Sequence, residues 1–107
     1  MNRIIYNKLI RDKIPEIIDH SKRKYEVIVL PDDEFEVALR DKLVEEAQEA
    51  IRAENSELIT ELADLQEIIF ALMKVHKIDP TEFEAIRLQR LKTRGGFEKR
   101  LKLLWTD

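Results

Sequence analysis

The chain contains no cysteine. That excludes a disulfide framework, a thiolate zinc site and a catalytic thiol. Glycine occurs twice and proline three times in 107 residues, too little turn chemistry for a β-sandwich and a composition suited to long helices. No apolar run approaches the roughly 20 residues of a membrane-spanning helix. The opening Met1-Asn2-Arg3 lacks the apolar core of a secretion signal. A cytoplasmic protein with no membrane association is the expectation. The chain also lacks a P-loop, a Gly-x-Gly-x-x-Gly turn and an EF-hand loop.

What is present is a soluble composition, 44% apolar and 38% charged, with length enough for one domain spanning 1–107. The net charge of -3 conceals a strong pattern. Residues 1–25 carry seven Lys/Arg against three Asp/Glu, and residues 86–107 carry seven against two. The middle, 26–85, carries five against seventeen. A nucleic-acid binder is expected to be basic overall, so none is expected as a partner. Basic ends around an acidic centre suit a site holding a cation on carboxylates and an anion on Lys/Arg, although internal charge compensation produces the same pattern.

Four helices are predicted. The first covers 14–23, with Pro15 in its first turn, where a missing N–H costs nothing. The second starts with Asp32 as N-cap and acidic residues in the first turns, and runs to about Ala53. Asn55-Ser56 breaks it and caps a third, from about Glu57 to His76. Asp79-Pro80-Thr81-Glu82 reads as a capping-box start to the fourth, which ends at Gly95. Residues 25–30 are β-branched and aromatic-rich, and Phe97, Leu101, Leu103 and Trp105 recur at even spacing. A short two-stranded ribbon pairing 25–30 with 98–105 is compatible with that pattern.

On a helical wheel, Phe35, Leu39, Leu43, Ala47 and Ala50 form the apolar stripe of the second helix. Glu46 falls inside that stripe, with Glu49 beside it. On the third helix, Leu58, Leu62, Leu65, Ile69 and Leu72 form the stripe. Glu61 falls between Ile68 and Leu72, and Asp64 lies at the edge. If the chain reverses near Asn55, as short helix connections favour, Glu49 faces Glu61 and Glu46 faces Asp64. An isolated acid on a helix is ordinarily a solvated surface group. Four of them in matching register on apolar faces repel one another and lose hydration, unless a cation fills the gap. Oxygen ligands alone favour Mg²⁺, or Mn²⁺. A di-iron site would need Glu-x-x-His pairs. His76 lies twelve residues beyond Asp64, about 18 Å along a helix, and both His20 and His76 read as surface or helix-end residues.

At these residues the chain resembles a known group. Glu45-Glu46-x-x-Glu49 followed by Glu61-x-x-Asp64 is similar to the signature of the all-α nucleoside triphosphate pyrophosphohydrolases, which include MazG, the dimeric dUTPases and phosphoribosyl-ATP pyrophosphohydrolase. The opening Tyr6-Asn7-Lys8-Leu9-Ile10-Arg11-Asp12-Lys13-Ile14-Pro15 and the closing Arg94-Gly95-Gly96-Phe97 resemble a small MazG-like branch, often labelled phosphoribosyl-ATP pyrophosphohydrolase-like. The resemblance implies a mainly α, four-helix antiparallel bundle completed by a homodimer or homotetramer. It implies Mg²⁺-dependent cleavage of a nucleoside triphosphate, or a related nucleotide, to monophosphate and pyrophosphate. House-cleaning of noncanonical nucleotides is the leading expectation; hydrolysis of phosphoribosyl-ATP in histidine biosynthesis and a non-catalytic interaction module are the alternatives.

The metal ligands carried over from the group are Glu46, Glu49, Glu61 and Asp64. Glu45 is the catalytic candidate, to orient or deprotonate a water; an outer-sphere role or simple exposure are the other readings. Lys8, Arg11 and Arg94 are favoured as phosphate ligands over Lys13 and Lys92, because they fall in the resembling segments. Ile5, Tyr6, Phe97 and Trp105 are candidates to receive a base, with ordinary core as the alternative. An apolar third helix, including Ile59, Ala63, Phe70 and Met73, makes dimerisation plausible unless helices one and four cover it.

Overall fold

A computed structural model describes residues 3–107. It is mainly α, with four helices: α1 (Ile14–His20), α2 (Asp32–Arg52), α3 (Asn55–Val75) and α4 (Pro80–Arg94). The two long helices each have 21 residues, about 31 Å of length. Only Ala53 and Glu54 separate them, which forces a hairpin. Glu36 near the start of α2 meets His76 at the end of α3, with Oε1 and Nε2 3.3 Å apart. Glu46, further along α2, meets Glu61 and Asp64 in the first half of α3. The pairing therefore runs antiparallel.

The helix ends follow local chemistry, with small shifts from expectation. Pro31, not Asp32, is the N-cap of α2. Asp32, Asp33 and Glu34 occupy the first turn, where the helix dipole favours negative charge. α3 begins two residues early, at Asn55, behind Glu54, and no side chain caps it. At its far end Ile78 N donates to Met73 O at 2.9 Å and Lys77 N to Lys74 O at 3.2 Å. This is a Schellman turn, with Lys77 at φ 55 where glycine is usual. Asp79 caps α4 as expected, its side chain accepting from Thr81 N. Gly95 closes α4 at φ 81, a conformation that an L side chain rarely adopts. α1 stops at His20, three residues short of the expected end.

The ribbon does not form: no strand occurs among the described residues. Residues 24–30 and 101–107 run without regular structure, and Val29 is 96% exposed and Leu103 80% exposed. β-propensity selects an extended backbone, but a strand exists only with a partner, and an isolated two-stranded ribbon is marginal.

The close packing lies between α2 and α3, whose buried residues are Leu39, Ile68, Met73 and Glu46. α1 and α4 contribute no buried residue. Ile59, Leu62 and Phe70 on α3 and Val37, Val44 and Ile51 on α2 remain exposed. The radius of gyration is 18.5 Å, against about 13 Å for a compact chain of this length. The hairpin is thus laid open rather than wrapped by α1 and α4. No described helix is long and apolar enough to cross a membrane.

Candidate functional site

The hairpin register brings three carboxylates into one group. Glu46 from α2 and Glu61 and Asp64 from α3 each place an oxygen within 4.8 Å of the others. Glu46 is the one buried charged residue among those described, 8% exposed. Its Oε2 and that of Glu61 are shut off from solvent without a hydrogen-bond partner. Buried polar atoms are nearly always paired, so two orphan oxygens on members of one carboxylate group are an unmet demand for a donor or a cation. The cluster is able to coordinate a divalent metal.

The electrostatics agree. Burial pushes the Glu46 carboxyl above its ordinary value, and the charges of Glu49 and Asp64 add to the push against the pull of Lys42. Burial likewise raises Glu61, reinforced by Glu49 and Asp64. Both shifts record carboxylates held together without sufficient counter-charge. Glu49 is outside the 4.8 Å group but close enough that its charge is felt by both neighbours.

The irregular segment before α1 supplies two cations. Lys8 Nζ lies 2.9 Å from Glu45 Oε1 on α2, and Arg11 Nη2 lies 2.8 Å from Asp64 Oδ1 on α3. Asn7, at φ 45, turns the chain toward α2 there, a conformation asparagine tolerates better than most residues. Between this segment and α2 lies a cavity of about 160 Å³, lined by Asn7, Lys8, Leu9, Ala38, Asp41, Lys42 and Glu45. The hydrogen bond from Lys8 is the largest influence holding Glu45 below its ordinary value, with Lys42 assisting.

Lys42 is a further cation of the site, outside the residues that the sequence patterns mark. Its Nζ sits 3.2 Å from Glu45 Oε2 and 3.8 Å from Glu46 Oε1. The signal was available, since Lys42 lies three and four residues before two of the acids and such pairs share a helix face. Arg94 ends α4, which does not pack closely on the hairpin. The base-pocket candidates Ile5, Tyr6, Phe97 and Trp105 are 62–96% exposed and enclose nothing.

The sequence model of the phosphoribosyl-ATP pyrophosphohydrolase family matches residues 8–90. The match takes in Lys8, Arg11 and all five acids of the site and leaves out Arg94. No curated protein and no solved structure matches the chain. With most of its length matched and its acids gathered in one place, the chain belongs to the phosphoribosyl-ATP pyrophosphohydrolase family, MazG-like hydrolases that act on a phosphoanhydride bond.

Proposed function

We propose that residues 1–107 form a single Mg²⁺-dependent catalytic domain that releases pyrophosphate from phosphoribosyl-ATP. The observation that carries the metal reading is the pair of orphan oxygens, Glu46 Oε2 and Glu61 Oε2, on two members of the carboxylate group that Asp64 completes. Glu46, Glu61, Asp64 and the adjacent Glu49 would hold the ion, Mg²⁺ or in its place Mn²⁺, because all-oxygen donor sets suit hard cations. In that position the cation supplies charge neutralisation for phosphate oxygens and activation of water.

The chain's own residues divide the remaining work. Lys8 and Arg11, already beside the acids, bind phosphate oxygens by charge-assisted hydrogen bonds. Glu45 takes an orienting role. Lys8 and Lys42 occupy its two oxygens, and its lowered pKa makes it a poorer proton acceptor than an ordinary glutamate. Arg94 joins the phosphate ligands only in an assembly that carries α4 to a hairpin. A homodimer or homotetramer is proposed for the same reason that the hairpin is open: its exposed apolar faces exceed what a monomer usually leaves in water. The acid excess of α2 and α3 repels nucleic acid, so the partner is a nucleotide and its metal.

The matched family supports phosphoribosyl-ATP ahead of noncanonical nucleoside triphosphates; those are the second reading. Pyrophosphate release from a panel containing phosphoribosyl-ATP and canonical and modified triphosphates, with and without Mg²⁺, tests both. Metal-dependent turnover led by phosphoribosyl-ATP supports the proposal. Turnover led by a modified triphosphate overturns the substrate and keeps the reaction. Silence across the panel from a folded oligomer overturns the reaction as well.

A further inference from the structure

Arg11 is the cation in direct contact with the carboxylate group from outside the helices. Its guanidinium bonds Asp64 Oδ1 at 2.8 Å, while the orphan oxygens of Glu46 and Glu61 stay unpaired. The arginine therefore compensates the rim of the group and leaves its interior unmet. Its backbone is anchored, since Arg11 O accepts from Ile14 N at 3.1 Å at the turn into α1. Its side chain is 57% exposed and that of Asp64 35%, so water is at hand when the pair opens, and exposed pairs are weak.

We propose that Arg11 is the resident counter-ion of Asp64 in the metal-free protein, and that a divalent cation entering the group displaces its guanidinium, which then turns to the substrate's phosphates. The proposal rests on the metal reading above. Three carboxylates within 4.8 Å can accept one divalent ion. A divalent ion cuts the charge of the three carboxylates from -3 to -1, so the guanidinium loses most of the attraction that held it, with only a weak exposed bond left. An anchored backbone and a long side chain let the released group swing without unfolding the segment. The rival arrangement keeps Arg11 on Oδ1 as a brace while the metal takes the other oxygen.

The two arrangements differ in sign. Mn²⁺ is titrated calorimetrically into the metal-free full-length protein, into Arg11→Gln, and into Lys13→Gln as a control for charge in the same segment. Displacement predicts that Arg11→Gln binds Mn²⁺ about two- to five-fold more tightly, as expected for loss of one competing exposed ion pair, with a smaller change in Lys13→Gln. It also predicts weaker binding of inorganic pyrophosphate to Arg11→Gln than to wild type in saturating Mg²⁺. Unchanged or weaker Mn²⁺ binding by Arg11→Gln overturns displacement in favour of the brace. Equal tightening in both variants reduces the effect to a general field and overturns it too. Tighter Mn²⁺ with unchanged pyrophosphate binding overturns the turn to phosphate. Wild type that binds no Mn²⁺ overturns the metal reading itself, a result distinct from the other three.

Discussion

Glu46 on α2 and Glu61 on α3 each carry one solvent-shielded oxygen without a hydrogen-bond partner, and both residues belong to the carboxylate group that Asp64 completes. Two carboxylates so placed work against the metal-free fold, because each is stripped of hydration and repelled by acids around it. Function is where such a local violation is expected, since the same carboxylates that weaken the empty hairpin are the ones a cation needs.

Glu46→Gln keeps the shape of the side chain and removes its charge. The metal-free variant is expected to gain ~1 kcal/mol, the low end for relieving an uncompensated buried charge. For a chain of this size that raises Tm by about 4–8 °C. Pyrophosphate release is expected to fall at least ~100-fold, the scale of losing several kcal/mol of metal assistance. Calorimetry in a chelator together with turnover in Mg²⁺ checks both halves. A lower Tm in the chelator would show that Glu46 supports the fold rather than straining it.

The raised Glu46 and Glu61 carboxyls also set a pH dependence. Both bind protons more tightly in the folded chain than at the ordinary value of 4.5, so folding takes up protons and stability falls as pH rises above that value. Glu36, Glu45 and Glu84 are held below 4.5. Their contribution is present above that pH and is lost in stronger acid, outside the window. Melting in a chelator should therefore show Tm declining as pH rises from about 4.5 through the raised values of these two carboxyls. Saturating Mg²⁺, or the double variant Glu46→Gln/Glu61→Gln, should flatten the decline. A slope that persists in the double variant assigns it to other groups.

The open hairpin makes an assembly prediction. Ile59 is 76% exposed and Phe70 50% exposed on α3, and neither α1 nor α4 supplies a buried residue to cover them. Ile59→Glu or Phe70→Glu should lower the sedimenting mass of the protein by at least half while leaving the helical signal largely intact. A wild-type chain that sediments as a monomer overturns the proposed oligomer.

Helix periodicity alone makes the acids legible. Glu46 fell on an apolar stripe because Leu39, Leu43 and Ala50 recur at helical spacing, and its burial follows from that placement. The symmetric spacing of Glu46 and Asp64, each nine residues from Asn55, likewise required only a short connection. Lys8 and Arg11 were picked out by resemblance, and their contacts with Glu45 and Asp64 came from the path of an irregular segment, which has no period to read. Residues 25–30 and 98–105 have strand-like composition yet stay unpaired, because a strand depends on where another strand lies, a non-local fact. The sequence by itself determined the four helices, the acidic faces and the absence of thiol chemistry, since these depend on residue type and spacing along a few turns. Only the tertiary structure decided that three of the four acids meet within 4.8 Å, that Glu49 stands beside them and that α4 is not packed closely on the hairpin. Those distances are set by how two helices pack and by where loops lead, and no local rule encodes either.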